Sequence, residues 1–389
     1  MKLLHTGDWH LGKVLKGVPR LDEQRAVCAE IVSIAADESV DVVLVAGDVF
    51  ESAAPSPEAQ ELAWATLLAL RAGGAEVVVI AGNHDPAEVF EAVRPVFGAA
   101  GITITGRVRA PADGGLLSLH GAGGERIEIA LLPFVSQRRI VRAADVFELD
   151  ESQRQGRYAE QLMRFVNRFA DEFSDDAVNV ILMHGTVTGA RFGGGEREAQ
   201  SVFDYHVPAS AFPATTSYVA LGHLHRTQQL PAPCPTWYPG APIAVDFGED
   251  DHTPAVLVVD VGVGRPAQVR VRALASARAL RTVRGTLAEL ALLAPGIERA
   301  LVRAVVREPA RVGLADDVRA LLPGAIDIRV EAADRDAVVV TRASRLDGQR
   351  SSGSLFATYL EMQGIADPRV TALFEALADE SLTADPSVT

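Results

Sequence analysis

Residues 76–85 read Glu-Val-Val-Val-Ile-Ala-Gly-Asn-His-Asp. Four consecutive β-branched residues, Val77 to Ile80, favour an extended strand. They do not alternate with polar residues, so both faces of that strand must be covered, as in a sheet buried inside an α/β fold. Gly82 then allows a tight turn, and Asn83, His84 and Asp85 follow at once. Two adjacent ionisable groups pressed against a buried strand need partners.

The same pattern recurs on both sides. A strand predicted over Lys2–Thr6 leads into Gly7-Asp8-Trp9-His10, and one over Asp41–Ala46 leads into Gly47-Asp48. Further along, Val178–Met183 leads into His184-Gly185, and Ser217–Leu221 into Gly222-His223-Leu224-His225. Helical apolar spacing over Leu21–Glu38, Pro57–Arg71 and Ser152–Phe173 separates these strands, with Pro57 suited to a first helical turn. Short β-rich runs lie at Leu116–Leu119 and Arg126–Leu132. Buried strands alternating with helices predict a layered α/β fold with central sheets flanked by helices. Asp8, Asp48, Asn83, His184 and His223 each fall just after a predicted strand, and such loops are where α/β folds bind ligands.

From about Val261 the texture changes. Gln268–Leu274 reads as a strand, Thr286–Leu293 as a helix, Ala300–Arg307 as a strand, Leu314–Leu322 as a helix and Ala325–Val330 as a strand. The expected division is a main unit over 1–260, a small α/β unit over 265–342 and a helical segment over 351–380. A linker reads over Gly348–Gly353, two short amphipathic helices over Leu355–Met362 and Pro368–Leu377, and a tail over Thr383–Thr389. Helices this short are marginal alone, and their apolar faces predict a docking element.

At 389 residues and 48% hydrophobic content, the chain is expected to build two or three packed domains. There is no run of 18 uncharged apolar residues, so no membrane span is predicted. After Met1-Lys2 the apolar run ends within two residues, which predicts no secretory signal. Cys28 and Cys234 lie far apart and form no motif, in keeping with reduced thiols and a cytoplasmic protein. The net charge of −14 argues against general polyanion binding, but it is uneven. Residues 265–311 carry ten Arg against three acids, while residues 312–389 carry seven Arg against thirteen acids. Arg270, Arg272 and Arg281 in the basic segment are candidate phosphate contacts. So are Arg191 and Arg197, in a glycine-rich loop after His184 that reads equally as a plain surface loop.

The polar residues suit a pair of divalent cations. A carboxylate has two oxygens and can bridge two cations, which marks Asp48 as the bridging ligand. Asn83 offers a neutral oxygen suited to hard cations, and Asp8, His10, His184, His223 and His225 complete the donor set. His223 and His225 are alternate residues, so either the backbone turns between them or each serves a different cation. His84 is the candidate proton donor to a leaving oxygen. Asp85 is expected to hydrogen-bond a neighbouring imidazole and fix its tautomer. Such a site hydrolyses phosphate esters with a metal-activated water. With no thiolate in the set, manganese is expected before zinc.

At these residues the chain resembles the calcineurin-like metallophosphoesterase superfamily, all five of whose motifs are present. Gly7-Asp8-Trp9-His10-Leu11-Gly12, Gly47-Asp48-Val49-Phe50 with the Pro-rich Ala53–Pro57 after it, and His184-Gly185-x-Val-x-Gly189 are similar to the SbcD exonuclease-subunit family. The resemblance implies one cation held by Asp8, His10, Asp48 and His225 and the other by Asp48, Asn83, His184 and His223. It implies manganese, with His84 as the catalytic acid. It also implies a 3′–5′ exonuclease on duplex DNA ends and an endonuclease on hairpins and single strands, acting in double-strand-break processing. The units after the main one become a small DNA-binding capping domain and helices that dock on an SbcC-type ATPase. Two nuclease subunits would form a dimer within a heterotetramer with two ATPase subunits. One position departs from the pattern: some members carry His after Gly-Asp-x-Phe, and this chain has Glu51, whose role stays open.

The same metal site would serve a phosphodiesterase or phosphatase acting on a non-DNA ester. The basic segment and the helical tail favour the nuclease, since a stand-alone phosphatase needs neither. A non-catalytic scaffold would be expected to have lost ligands, and no ligand of the pattern is missing.

Overall fold

The computed structural model describes residues 1–136, 151–194, 196, 206–249 and 253–331, and the single positions Phe356, Leu360, Val370 and Phe374. In chain order, β1 (Lys2–Thr6), α1 (Leu21–Asp37), β2 (Val42–Val45), α2 (Pro57–Ala72), β3 (Glu76–Ile80), α3 (Ala87–Ala99) and β4 (Ile102–Thr105) form a wound run. Its strands are parallel neighbours. β5 (Leu116–His120) and β6 (Arg126–Leu132) then open a second sheet. After α4 (Glu151–Ala170), that sheet is completed by β7 (Val178–His184), β8 (Tyr218–Gly222), β9 (Gln228–Leu230) and β10 (Thr236–Tyr238). The chain returns through β11 (Ala255–Gly262), antiparallel to β1, and β12 (Arg265–Ala273), antiparallel to β11. The result is two six-stranded sheets, ordered β12-β11-β1-β2-β3-β4 and β9-β10-β8-β7-β6-β5.

Residue alternation explains how the sheets stack. In β2, Val42 and Leu44 face the other sheet, while Val43 and Val45 face helices. The inner layer packs Leu3, Leu44, Val78 and Ile80 against Ile129, Leu131, Val180 and Leu182. The outer face of the first sheet is covered by Val27, Ile31, Leu62, Leu67, Phe90 and Phe97 of α1, α2 and α3. Tyr158, Leu162, Val166 and Phe169 of α4 cover the second sheet. This is the expected layered fold, with four layers in the order helix, sheet, sheet, helix. Ser56 caps α2 by accepting from Ala59 N–H at 3.3 Å, and Pro57 opens the helix as expected.

The small unit comprises β13 (Leu280–Gly285), α5 (Leu287–Leu293), β14 (Leu301–Val306), α6 (Leu314–Leu321) and β15 (Ala325–Val330). Its three strands are parallel in the order β13-β14-β15. One face buries Val302, Ala304 and Val306 under Leu290, Leu314 and Val318. On the other face, Leu280 and Leu301 pack on Leu15, Ala244 and Phe247 of the main unit. The boundary expected at residue 265 needs correcting, because β12 is an edge strand of the first sheet, hydrogen-bonded along β11. The small sheet starts only at Leu280, with a strand that the sequence reading did not identify.

Most of the segment 351–380 lies outside the described residues, as do residues 332–342, the linker over 348–353 and the tail over 383–389. Phe356, Leu360, Val370 and Phe374 are helical, Leu360 is buried, and the Phe356 and Phe374 rings stack with centroids 3.9 Å apart. Among the described residues, no helix is long and apolar enough to cross a membrane. Cys28 and Cys234 are free thiols, both buried.

Candidate metal centre

The carboxyl ends of β1, β2, β3, β7 and β8 meet along one edge of the stacked sheets, and every expected ligand lies there. The loops run side by side: Asp8 N–H donates to Gly47 O at 2.9 Å and His10 N–H to Asp48 O at 3.0 Å. Asp8, His10, Asp48 and His223 all have left-handed backbones, with φ of 52°, 47°, 49° and 108°. For side chains with a Cβ this conformation is strained, and such strain concentrates at functional sites. Close approach explains two glycines. A Cβ on Gly82 would run into the Asp48 carboxylate, and one on Gly222 into the Ala46 carbonyl.

Asp48 is the centre of the arrangement. Its Oδ1 accepts the His84 backbone N–H at 2.8 Å. Its Oδ2 lies 4.0 Å from His10 Nε2 and 3.5 Å from His184 Nε2. On one side, His10 Nε2 and His225 Nε2 face each other at 3.0 Å. On the other, Asn83 Oδ1 meets His184 Nε2 at 3.0 Å and His223 Nδ1 at 2.9 Å. His223 and His225 therefore turn to different sides of Asp48. Asp8 is fully buried and accepts the His223 N–H through both oxygens, at 2.9 and 3.1 Å.

This donor set fits cations. His184 Nδ1 donates to Ala46 O at 2.7 Å, which leaves its Nε2 lone pair aimed at the oxygens of Asn83 and Asp48. Acceptors facing acceptors in a buried site need a positive charge between them. Without a metal, only protons supply it. Burial works against charging His184, but Asp48 and Asp8 outweigh it and lift the ring to about 9. His225 is likewise lifted to about 9, burial being outweighed by Glu249 and Asp8. His223 goes the other way: burial and then the neighbouring His184 hold it well below the usual range. Burial raises Asp8 to about 6 against the pull of His184 and His225.

His84 sits beside the cluster. Its Nδ1 donates to the Glu51 carbonyl at 2.7 Å, and its ring meets that of His10 edge-on with centroids 4.8 Å apart. The expectation for Asp85 is corrected by its contacts, since it holds no imidazole. It accepts from the backbone N–H groups of Gly82 (2.8 Å), Val49 (3.2 Å) and Phe50 (2.9 Å), tying two ligand loops together. Burial, reinforced by nearby Asp48, raises its carboxyl to about 7.

The basic candidates fall elsewhere. Arg270 and Arg272 both pair with Glu38, which also binds Lys2 at the opposite end of β1 from Asp8. Arg281 is exposed on β13, and Arg191 is exposed with its backbone held by Gln228. Arg197 lies outside the described residues. Three contacts escaped the sequence reading. Glu249 accepts from His225 Nδ1 at 2.7 Å, Glu196 from the His225 N–H at 3.1 Å, and Glu51 lies 3.1 Å from His10 Nδ1. Only Glu51, beside the Gly-Asp motif, left any trace in the sequence. The other two come together with His225 through folding alone.

Residues 1–227 match the family described as calcineurin-like phosphoesterase. The chain is similar to the SbcD subunit of the nuclease SbcCD of Bacillus subtilis, 34% identical over 283 residues that cover 72% of this chain and 71% of that protein. The corresponding subunit of Rhodobacter capsulatus is 34% identical over 279 residues, 68% of this chain and 67% of that protein. That of Escherichia coli is 26% identical over 303 residues, 75% of this chain and 72% of that protein.

Proposed function

The chain belongs to the calcineurin-like phosphoesterase family, in the line of the SbcD subunit of SbcCD nucleases, and from that premise we propose that it cleaves DNA with two manganese ions. It is a metal-dependent phosphodiesterase. The proposed substrates are duplex ends, cut 3′ to 5′, and hairpins or single strands. The observation that carries the two-cation reading is the position of Asp48 Oδ2 between two sets of ligands, 4.0 Å from His10 Nε2 and 3.5 Å from His184 Nε2.

Bound by these residues, two divalent cations supply Lewis acidity and an activated water. Asp48 joins the two ligand sets and, through Oδ1, fixes the backbone of His84. The Glu51 carbonyl holds the Nδ1 proton of His84, which turns the opposite edge of the ring to the task of protonating a leaving oxygen. Asp85 keeps the loops of Asp48 and Asn83 in register.

DNA as substrate is supported by the small unit. Arg284, Arg303 and Arg329, with Thr282 and Phe247, line a cleft of about 430 Å³ beside the seam where the helix-free face of its sheet meets the main unit. Phe247 shares a short turn with Glu249, the residue that accepts from His225 Nδ1. Arg270 and Arg272 share Glu38 with Lys2, at the end of β1 away from Asp8, so the cleft is the better seat for a phosphate backbone that reaches the metal centre. An SbcC-type ATPase as partner, in a complex of two nuclease and two ATPase subunits, is supported by the helical spacing of apolar residues in the sequence over Leu355–Met362 and Pro368–Leu377.

The test offers the purified protein, with manganese, blunt duplex DNA and a chromogenic phosphodiester side by side. Release of nucleotides from the duplex at a rate well above hydrolysis of the small ester is expected. Hydrolysis of the small ester with the duplex left intact would move the chain to the non-DNA phosphoesterases.

A further inference from the structure

The two sides of the metal centre are built differently behind the ligands. On one side both imidazoles are backed by carboxylates. His225 Nδ1 meets Glu249 Oε1 at 2.7 Å, and Glu249 is 1% exposed, with its other oxygen taken by the Val245 N–H at 2.8 Å. His10 Nδ1 meets Glu51 Oε2 at 3.1 Å, and Glu51 Oε1 is held by Lys13 Nζ at 2.8 Å. The Nε2 atoms of these two rings converge at 3.0 Å. Buried Asp8 lies on the same strand-end loop as His10. On the other side, no carboxylate among the described residues backs a ring. His184 leans on the neutral Ala46 carbonyl, and His223 and His184 both face the neutral Asn83 amide.

A carboxylate behind a ligating imidazole fixes its tautomer and orientation and raises its basicity. We propose that Glu51 and Glu249 are positioning residues that make the His10–His225 side the tight, first-filled cation position, and that the Asn83 side fills second and more weakly. The proposal rests on the two-cation reading above. It also gives a role to Glu51, the position where the chain departs from its family pattern. The two carboxylates are unequal. Glu249 makes a short, fully buried contact, whereas Glu51 approaches His10 off the line of a good hydrogen bond and its side chain is 30% exposed. Glu249 therefore carries the larger share.

The experiment is a manganese titration of the metal-stripped full chain, followed by calorimetry and by the electron paramagnetic resonance of the bound ion. Two unequal binding events per chain are expected. Glu249→Gln keeps the shape and removes the charge, so it should weaken the tight event by roughly 10–100-fold, the range seen when such supporting groups are lost. Glu51→Gln should shift it the same way by less. Asn83→Ala should abolish the weak event and keep the tight one. A purely structural role for the two glutamates would leave manganese affinity unmoved in the isosteric variants. Two equal events in the parent protein, or an unchanged tight event in both Gln variants, overturns the proposal. A single manganese per chain overturns the two-cation reading itself.

Discussion

The main unit and the small unit share a local plan, parallel strands joined by helices, yet they use charge in opposite ways. In the main unit, ionisable groups sit on strand-end loops and turn inward. Asp8, Asp48 and His225 are at most 2% exposed, and Asp8 and Asp48 are held in left-handed backbone. In the small unit, charges stand on the open sheet face. Arg303 pairs with Asp327 at 2.7 Å and lies over the Phe247 ring at 4.4 Å, while Arg329 pairs with the same Asp327 at 3.1 Å and stays half in water. Buried, strained positions define a geometry to fractions of an ångström. An exposed basic face defines only a sign of potential, which suffices for a phosphate backbone and carries no chemistry.

Asp48 is where the inward use of charge in the main unit has its largest expected effect. Asp48→Ala should lower phosphodiester cleavage by roughly 10⁴-fold or more, because the ions contribute several kcal/mol and each ~1.4 kcal/mol is tenfold in rate. Bound manganese should fall with it, as read by metal analysis of the dialysed protein. Full metal content in that variant would mean that Asp48 is not the shared ligand. His84→Ala separates chemistry from binding. Turnover should drop about 10²–10⁴-fold through loss of proton donation, with manganese content and melting temperature nearly unchanged. If the variant also loses metal, His84 is a ligand and not the acid.

These two residues were legible because every candidate ligand lies at the end of a buried strand or within four residues after it, and strand ends in stacked α/β sheets converge without further assumptions. What could not be read depended on tertiary register. Asp85 sits beside three backbone N–H groups, not an imidazole, because the Gly47–Phe50 loop passes within its reach. Glu249 reaches His225 across 24 residues of chain. The helix α3 escapes a reading by pattern because Pro95 lies inside it, against the usual punctuation, and β4 is only four residues long. β12 reads like the start of a new unit by composition, but an edge strand with Arg on alternate exposed positions carries no sign of which sheet it joins. Arg270 and Arg272 accordingly read as open phosphate contacts, whereas Glu38 holds both.

On the small unit, effects should be graded and salt-dependent. A double variant, Arg284→Ala with Arg329→Ala, leaves the Arg303–Asp327 pair in place. It should weaken duplex binding on the order of tenfold and flatten the dependence of log affinity on log salt by about 0.9 for each phosphate no longer neutralised. Hydrolysis of a small chromogenic ester should not change. A duplex affinity equal to that of the parent protein would take DNA off this face, and a loss of small-ester turnover would show that the two units are not separable in function.

The smallest effect asks whether the two units are also separable in stability. Thr286 and Glu289 form a reciprocal cap at the start of α5: Thr286 Oγ1 accepts the Glu289 N–H at 3.3 Å, and Glu289 Oε2 accepts the Thr286 N–H at 2.8 Å. Thr286→Ala leaves that helix end with unmet N–H donors, at a cost of about 1 kcal/mol. Nothing in the cap touches the metal ligands, so small-ester turnover should be that of the parent. If the small sheet opens by itself, amide hydrogen exchange should quicken in β13, β14 and β15 by about fivefold, the factor that ~1 kcal/mol gives, while β1, β2 and β3 keep their protection. The only described apolar seam between the units is the cluster of Leu15, Ala244 and Phe247 with Leu280 and Leu301. That seam is small beside the inner layer of the stacked sheets, which favours independent opening. Equal quickening in β1–β3 would mean that the seam makes the two units one cooperative body. The turn of Phe247 and Glu249 would then tie the fold of the basic face directly to the candidate ligand His225.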